Sequence, residues 1–448
     1  MTNVQGVTDE LAEFASGLTW GDIPEGARHA ARRTFANVVG LAVGASRHNA
    51  VEAAVLALRD LGLEGVTSVL GRRERLPVAW APFVTGIAMH VEDFDDTHLR
   101  TVLHPGAPIV PAALAVAELT DATGAELLTA IVVGVEVACR VSNGLSPGHF
   151  DRGWHVTGTM GHLGAAAAAG RLLGLSPVAT RHALAIAATQ AAGHTEQLGS
   201  MTKSLHPGKA AADGVEAALL AQHGFTGPDG ALEGRRGLAA LMAPRTNLEE
   251  MVAGLGSVWE VEHNAFKPYS CGIVSHPVID LAVLLRDQGV EPDQIESVDL
   301  VVRPVVLEVM GVREPENGLR SKFSVYHCFA VGLLDGSAGP AQYSDARALA
   351  PEVIALRRKV HATTDPAMPK DACRAEVVLK DGTRYERQIQ HASGSLDAPM
   401  TDEELRRKFE LVVRPVLGEA GNALWQEAFG IDGSPSVSAV LATSRPLE

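Results

Sequence analysis

The chain has 448 residues, of which 46% are hydrophobic and 20% charged, and its formal net charge is −15. This length and composition predict a globular protein with more than one domain and exclude a disordered chain. The acidic excess argues against nucleic acid and anionic membranes as partners, because binding to phosphate groups depends on clustered Lys and Arg.

The predicted elements of the first half are helices. Alanine-rich segments of helical length, mostly separated by Gly, Pro or Ser, follow one another at 25–44, 49–62, 77–92, 106–119, 124–145, 159–173, 177–192 and 207–224. No strand pattern alternates with them up to about Leu255, so a doubly wound sheet is not expected. Aromatic residues make up only 4%, and runs such as Ala165–Ala169 therefore predict close helix packing through small side chains.

The pattern changes near residue 265. Ile295–Arg303 alternates as a strand does, and Arg374–Gln390 contains two alternating runs joined by an Asp-Gly pair, which predicts a hairpin. Between these strands, Ser324–Leu334 and Ser344–Lys359 have helical patterns. This part of the chain is therefore predicted to be α+β.

After Gly394 the chain returns to a helical pattern, with a charged amphipathic helix at Asp402–Leu417. The order of helical, mixed and helical segments predicts a mainly α protein with an insertion. Residues 1–264 and 397–448 are expected to form one large all-α helical domain, and residues 265–396 a smaller inserted α+β lid domain.

The cysteines and the N-terminus predict a cytoplasmic protein. Four cysteines, Cys139, Cys271, Cys328 and Cys373, form no CxxC pair, which is typical of buried free thiols in a reducing compartment. Residues 1–14 lack the apolar segment of a signal peptide. The longest apolar run, near 127–135, has about half the length that a membrane-spanning helix needs.

Acids and histidines are concentrated in His90–His104, which reads HVEDFDDTHLRTVLH. The segment fits a solvated helix end, a magnesium site, or an acid network that orients a catalytic imidazole. The spacing is loose for a metal site, and no second Asp-rich motif occurs on another helix. In the network, Asp93 and Thr97 would share a face if the helix continues. His104 would begin the next helix, where the dipole lowers its pKa and attracts a carboxylate.

A second histidine, His155, also precedes a predicted helix start. Gly158, Gly161 and Gly164 follow it with GxxGxxG spacing, but no strand comes before them. The glycines therefore indicate close helix packing rather than dinucleotide binding. For His155 itself, a structural hydrogen-bonding role and a catalytic role both remain open.

Two segments carry basic and neutral side chains only, although the chain as a whole is acidic. Gly199–Lys209 contains Lys203, and His263–His276 contains Lys267. Lysine is a compact point charge suited to carboxylates, and the alternative is that each lysine simply reaches the surface. We expect Lys203 and Lys267 to lie on opposite sides of one cleft and to bind a small anionic carboxylate.

A third histidine region begins the helix at Ser324–Leu334. Tyr326 and His327 stand near its start, and one of them is expected to face a cavity and contact the substrate. Cys271 is interpreted as an inert buried thiol, because nothing near it in the sequence marks an activated nucleophile.

Taken together and in this order, these motifs resemble the MmgE/PrpD family, which includes 2-methylcitrate dehydratase, cis-aconitate decarboxylase and iminodisuccinate epimerase. The motifs that carry the resemblance are DFDDTH at 93–98, His104-Pro105, Gly153-Trp154-His155, MTKSLHPGKAAADG at 201–214, Phe266-Lys267-Pro268, KFS at 322–324 and LLDG at 333–336.

The resemblance implies a helical domain, a lid and a homodimer, with neither a metal nor an organic cofactor. It implies an active site between the domains, on Asp93, Thr97, His104, His155, Lys203 and Lys267. Two positions depart from the decarboxylase branch. That branch has a Tyr where this chain has His327, and a His where this chain has Gly272. Both departures weaken the decarboxylase expectation.

The chemistry common to the family is proton movement beside a carboxylate. We expect Lys203 and Lys267 to bind carboxylates and His104 to exchange the proton, with His155 second, while Asp93 and Thr97 orient substrate and imidazole. The first hypothesis is a metal-independent lyase of the 2-methylcitrate dehydratase type. The alternatives are a decarboxylase of the cis-aconitate type, an epimerase of an iminodisuccinate-like substrate, and an inactive ligand-binding homologue.

Overall fold

The computed structural model describes residues 6–446 of a mainly α-helical protein. The helices of the first part are α1 (Val7–Gly17), α2 (Glu25–Gly44), α3 (Asn49–Asp60), α4 (Trp80–His90), α5 (Gly106–Thr120), α6 (Gly124–Leu145), α7 (Gly148–Asp151), α8 (Val156–Leu172), α9 (Pro177–Gln190), α10 (Thr202–Gln222) and α11 (Leu238–Met242). The later helices are α12 (His276–Asp287), α13 (Pro304–Met310), α14 (Gly318–Ser321), α15 (Val325–Asp335), α16 (Asp345–Ala348), α17 (Pro351–Arg357), α18 (Asp402–Leu417), α19 (Gly421–Phe429) and α20 (Ser438–Thr443).

The strands are short apart from one sheet. They are β1 (Thr67–Ser68), β2 (Arg75–Leu76), β3 (Asp96–His98), β4 (Asn264–Phe266), β5 (Ile295–Val302), β6 (Val360–Thr364), β7 (Cys373–Leu379) and β8 (Arg384–Ile389). Residues 1–5 and 447–448 lie outside the described residues. Residues 1–5 are part of the N-terminal segment without a signal-peptide pattern, and residues 447–448 are part of the predicted domain 397–448.

The predicted helices of the first half are confirmed, although several ends differ by two to five residues. Two of these differences concern the candidate site residues. α10 begins at Thr202 rather than at residue 207, because Pro207 is accommodated inside the helix instead of starting it. α4 ends at His90, so Asp93 and Thr97 do not share a helical face. The condition for a shared face, a helix that continues to Thr97, is not met, because the backbone of Asp93 is left-handed (φ 51°) and strand β3 follows it.

Small residues bring the central helices into close contact, as the sequence predicted. Gly134 of α6 and Gly164 of α8 face each other, and a Cβ added to either one would lie 2.7 Å from the carbonyl oxygen of the other. A Cβ added to Gly161 would lie 2.9 Å from the side chain of Pro108 in α5. Because real Cβ atoms do not approach so closely, these glycines set the distance between the helices, and a dinucleotide is not needed to explain them.

The later part of the chain contains a four-stranded sheet in the order β6-β5-β7-β8. β5 and the β7–β8 hairpin were predicted, and Gly382 gives the hairpin its positive φ of 87°. β6 was not predicted. It pairs in parallel with β5 and follows directly after α17. The segment 344–359 forms two short helices, α16 and α17, rather than one, since Pro351 starts a new helix.

Two hydrophobic clusters divide the interior. The first contains buried residues between Val7 and Phe266 together with residues between Met400 and Leu441, and α18 packs on α2. The second lies between Cys271 and Val377.

All four cysteines are free and buried. Within residues 6–446, no helix combines the length and apolarity that crossing a membrane requires. The domain boundaries themselves stay a prediction.

Candidate active site

A cavity of about 390 Å³ lies between the two hydrophobic clusters. The predicted residues that line it are Asp93, Thr97, His104, His155, Lys203 and Lys267. Its opposite wall carries apolar side chains, among them Ile273, Val305 and Phe323. A wider groove of about 720 Å³ adjoins this cavity and shares Leu198 and Phe323 with it, but none of the six residues lines that groove.

The loop after α4 is held by three buried lysines from distant parts of the chain. The carbonyl oxygen of Glu92 accepts a hydrogen bond from Lys322 Nζ (2.7 Å), that of Asp93 from Lys267 Nζ (3.2 Å), and that of Phe94 from Lys408 Nζ (2.6 Å). Hydrogen bonds from ammonium groups are strong, and each of the three consecutive carbonyls accepts one from a different lysine. The loop is thereby fixed with Asp93 in its left-handed conformation.

The carboxylate of Asp93 joins the two predicted lysines. Nζ of Lys203 lies 2.8 Å and Nζ of Lys267 2.6 Å from the same oxygen, Oδ1. The expectation that Lys203 and Lys267 face each other across the cleft was therefore wrong. Lys203 stands in the first turn of α10, and Lys267 directly follows β4, which pairs with β3 beside the acidic loop.

Charge and burial set the ionisation of these three groups. Burial opposes ionisation of Asp93, but the ammonium groups of Lys203 and Lys267 hold its pKa well below the usual range. Burial lowers the pKa of Lys203, and Asp93 offsets this only in part. Burial acts on Lys267 in the same direction, yet Asp93 and Asp95 together raise its pKa. Lys203 is thus the amine that gives up a proton more readily.

The next two acids of the loop are buried and have their own partners. Asp95 Oδ2 lies 2.6 Å from Nδ1 of His90, and the interactions with His90 and His104 hold the pKa of Asp95 low against the effect of burial. Asp96 accepts hydrogen bonds from the backbone N–H of Gly106 (3.0 Å) and from Asn264 (2.5 Å). Burial, together with the charge of Asp95, raises the pKa of Asp96 to about 6.

His104 is held through one ring nitrogen. Its Nδ1 lies 2.9 Å from the carbonyl oxygen of Asp96 and 3.0 Å from Oγ1 of Thr97. A carbonyl oxygen only accepts hydrogen bonds, so Nδ1 carries the hydrogen and Nε2 is left to exchange a proton with a ligand. Burial and the charge of Lys267 lower the pKa of His104 to about 3. The imidazole is therefore neutral, and burial rather than the helix dipole is the main cause.

His155 precedes α8, as predicted, and has a histidine partner that the sequence did not reveal. Its Nδ1 lies 2.8 Å from Nδ1 of His206, so one ring donates the hydrogen that the other accepts. Burial, followed by the charge of Lys203, holds the pKa of His155 well below its usual range. His206 belongs to the motif at 201–214, but no spacing in the sequence pairs it with His155. Only the packing of α8 against α10 brings the two rings together.

Tyr326 and His327 do not line the cavity, contrary to expectation. Both belong to the buried face of α15. The ring of Tyr326 lies under the guanidinium of Arg313, at 4.8 Å. Nε2 of His327 donates to the carbonyl oxygen of Gln342 (2.9 Å), and burial lowers the pKa of His327 to about 4. Tyr326 belongs to the second hydrophobic cluster and His327 is fully buried, and neither side chain reaches the cavity.

Several lining residues were not singled out from the sequence. They include Arg100, Phe323, Arg303 and Lys370. Arg303 ends the predicted strand Ile295–Arg303, and Phe323 belongs to the KFS motif, so both were in recognised segments without being assigned to the site. Lys370 lies in the loop between β6 and β7, where the sequence carries no functional signal.

Metal-ligand atoms come together in two places among residues 6–446. These are His98, Glu260 and His263, and Asp371, His391 and Asp397; in each group the ligand atoms lie within 4.8 Å of one another. Neither group lines the cavity. Of the loop acids, Asp93 lines the cavity, and its Oδ1 is held by Lys203 and Lys267. Asp95 and Asp96 lie outside the lining, and one oxygen of each is bound by His90 and by Asn264, respectively.

Comparison with known proteins finds matches over most of the chain. The MmgE/PrpD N-terminal domain matches residues 9–251, and the MmgE/PrpD C-terminal domain matches residues 269–428. The chain is 29% identical to cis-aconitate decarboxylase of Mus musculus, over 91% of this chain and 86% of that protein. It is 28% identical to the cis-aconitate decarboxylases of Aspergillus terreus (93% and 91% covered) and Homo sapiens (91% and 87%).

Proposed function

This chain belongs to the MmgE/PrpD family, and on that premise we propose that it is a lyase that releases carbon dioxide from a small unsaturated tricarboxylate of the cis-aconitate type. The observation that carries the proposal is the meeting of Lys203 and Lys267 at Asp93, beside a neutral His104, in one cavity. The similarity to cis-aconitate decarboxylases, over most of both chains, supports decarboxylation ahead of dehydration.

Binding begins with the two ammonium groups. A substrate carboxylate competes with Asp93 for the N–H donors of Lys203 and Lys267, and all three side chains are buried. Asp93 keeps both amines charged and close together before substrate arrives. The amines therefore need little reorganisation when they receive the anion, which is the property that makes electrostatic stabilisation effective.

The reaction step breaks one carbon–carbon bond. The electron pair of that bond stays on the substrate as a carbanion conjugated with a remaining carboxylate, and carbon dioxide leaves. Lys203 and Lys267 stabilise the enolate-like charge, and a proton must then be added to carbon. The balance is one proton consumed for each carbon dioxide released, so the donor has to be reprotonated from solvent after every turnover.

We assign this proton transfer to Nε2 of His104. In the free protein the imidazole is neutral, because burial and Lys267 hold its pKa at about 3. An anionic substrate beside it raises that pKa and so favours uptake of the proton that the carbanion later receives. Thr97 and the carbonyl of Asp96 fix the ring orientation through Nδ1. His155 is the second candidate, since it lines the same cavity.

A dehydratase of the 2-methylcitrate type is the second candidate function, and Gly272 is the observation that favours it. Gly272 lines the cavity at the position where the decarboxylase branch has a His. A Cβ added there would collide with the thioether of Met310, so the wall has no room for an imidazole unless Met310 moves. In a dehydration, neutral His104 would instead remove the proton next to a carboxylate, and a second acid would protonate the leaving hydroxyl.

Product analysis separates these reactions. Purified protein is incubated with cis-aconitate, 2-methylcitrate and a hydroxylated or amino dicarboxylate in deuterated buffer, and the mixtures are followed by proton NMR and carbon dioxide release. Decarboxylation gives carbon dioxide and one deuterium on carbon. Dehydration gives a new alkene without carbon dioxide, and epimerisation gives deuterium exchange alone. Turnover of 2-methylcitrate with no carbon dioxide from cis-aconitate would replace the decarboxylase proposal by the dehydratase.

A further inference from the structure

The cationic side chains that line the cavity differ in whether they already have an acidic partner. Lys203 and Lys267 share Asp93, and Arg100 is paired with Glu250. Arg303 and Lys370 also line the cavity, but among residues 6–446 no carboxylate oxygen lies within 4.0 Å of either one. In a protein with a net charge of −15, two cations without an ion pair in one cavity are available to bind an anionic ligand.

Arg303 is fixed in place by the backbone of a neighbouring loop. It follows β5, is half-buried, and donates from Nη1 to the carbonyl oxygen of Met368 (2.8 Å). Pro366 and Lys370, on either side of Met368, line the cavity as well. A guanidinium has five N–H donors in a rigid fork, so this bond to Met368 leaves a face that can bind a carboxylate through two hydrogen bonds.

The two groups of cations stand on different parts of the molecule. Lys203 belongs to α10, which packs in the first hydrophobic cluster, whereas Arg303 lies between β5 and α13, which belong to the second. The lining of the cavity also includes the apolar side chains of Val305 and Phe323. A ligand with one carboxylate at Lys203 and Lys267 and another at Arg303 would therefore span the cavity and connect its two sides.

We propose that Arg303, assisted by Lys370, forms a second carboxylate subsite, and that this subsite selects tricarboxylates over dicarboxylates. The proposal rests on the proposed function, because it assumes that Lys203 and Lys267 hold the carboxylate next to the reacting carbon. Asp151 and Glu308 also line the cavity and are the acidic side chains with which the ligand would compete for Arg303.

The test uses binding of unreactive ligands, so it does not depend on turnover. Tricarballylate is the saturated tricarboxylate with the carbon skeleton of aconitate. Glutarate lacks its central carboxylate, and methylsuccinate lacks one terminal carboxylate. Titration calorimetry with the full chain measures the dissociation constant of each ligand at fixed pH and ionic strength, since exposed charge interactions are screened by salt.

Two variants of Arg303 and one control complete the design. Arg303→Gln removes the charge but keeps an amide donor for the carbonyl of Met368, and Arg303→Lys keeps the charge without the fork. Arg358→Gln is the matched control, because Arg358 is 67% exposed and pairs with Glu314 away from the cavity. Thermal unfolding of each variant verifies that it is folded before titration.

Arg303→Gln is expected to weaken binding of tricarballylate by about 10- to 100-fold. At least one of the two dicarboxylates should bind to Arg303→Gln nearly as tightly as to the wild-type protein. Arg303→Lys should keep part of the preference for tricarballylate over the dicarboxylates. Wild-type affinity of Arg303→Gln for all three ligands would overturn the subsite alone. No binding of any of them to the wild-type protein would overturn the subsite and the proposed function together. If Arg303→Gln loses affinity for tricarballylate alone and the wild-type protein does not turn over cis-aconitate, the subsite is supported and only the proposed reaction is rejected.

Discussion

Lys408 donates a hydrogen bond of 2.6 Å to the carbonyl oxygen of Phe94, and its ammonium lies 4.3 Å from the centre of the same residue's ring. The two residues are 314 positions apart in the chain. Phe94 directly follows Asp93, so α18 near the C-terminal end contributes to the position of the carboxylate that Lys203 and Lys267 share. Lys408 is buried and contacts the active-site loop without lining the cavity, which makes it a positioning residue.

Replacing Lys408 by Met should lower both stability and turnover. The carbonyl oxygen of Phe94 would lose its donor in a buried place, which costs about 1–3 kcal/mol. A loop that is free to relax would shift Asp93, so kcat should fall more than KM rises. Thermal unfolding and steady-state kinetics measure the two effects. Arg407→Gln on the same helix is the control, because Arg407 is 69% exposed. Wild-type kcat in Lys408→Met would remove its positioning role.

The same lysine predicts a pH dependence of stability. Burial lowers the pKa of Lys408 to about 7, against 10.5 for an ordinary lysine. Between pH 7 and 10.5 the unfolded chain therefore binds a proton that the folded protein has released, and the free energy of unfolding rises with pH. Urea unfolding at about pH 7 and about pH 9, inside this window, measures this change. The free energy of unfolding should increase more between the two pH values for the wild-type protein than for Lys408→Met. An equal gain in both proteins would mean that Lys408 stays charged.

His104 gives a prediction at acid pH. Its pKa is about 3 in the folded protein and 6.5 when exposed, so the unfolded chain takes up a proton in this window that the folded site does not. Stability should fall as the pH falls from 6.5 toward 3, and His104→Asn should make this fall less steep. The same variant should lower kcat by about 10²–10⁴-fold. A variant with normal kcat would transfer the proton-exchange role to His155.

Chelation should leave turnover unchanged. The acids of the 93–96 loop bind lysine, histidine, amide and backbone donors. With these partners we expect the acids to orient neighbouring side chains and not to act as metal ligands. Exhaustive treatment with EDTA followed by activity measurements checks this expectation. Loss of activity that magnesium or zinc restores would contradict it and favour the magnesium interpretation of His90–His104.

Local signals predicted the elements better than the site. The helices between residues 25 and 224 were predicted because their apolar spacing and their Gly and Pro boundaries lie within each segment. The hairpin β7–β8 was predicted for the same reason, since its turn and both strands are adjacent. Strand β6 was not, because its pairing partner β5 lies about sixty residues earlier and its own pattern is short.

The site depended on the family resemblance and on long-range contacts. Asp93 and His104 were identified through motifs. No pattern in the sequence indicated that Lys203 and Lys267 bind the same oxygen of Asp93. The pairing of β3 with β4, which brings Lys267 beside the acidic loop, involves three residues on each strand. So short a pairing has no periodicity to recognise. Tyr326 was misplaced because a helix start does not reveal which face is buried.

The shared oxygen of Asp93 leads to the last prediction, which separates charge compensation from catalysis. Lys203→Met and Lys267→Met should each raise KM strongly and lower kcat, because the negative charge they meet grows in the transition state. A loss of about 10²–10³-fold in kcat is the size expected for one missing stabilising donor. Lys267→Met should also destabilise the fold more, since Lys267 is fully buried and additionally binds the carbonyl of Asp93.

Adding Asp93→Asn to Lys267→Met tests whether the two effects have one cause. Lys203, Lys267, Asp93 and Asp95 carry two positive and two negative charges, and the double variant removes one of each sign. The buried charge is therefore again balanced, and stability should recover in part. Activity should not recover, because the substrate would still meet one lysine instead of two. Thermal unfolding and kinetics of the two single variants and the double variant complete the cycle. Recovery of activity together with stability would show that Lys267 only neutralises Asp93 and takes no part in catalysis.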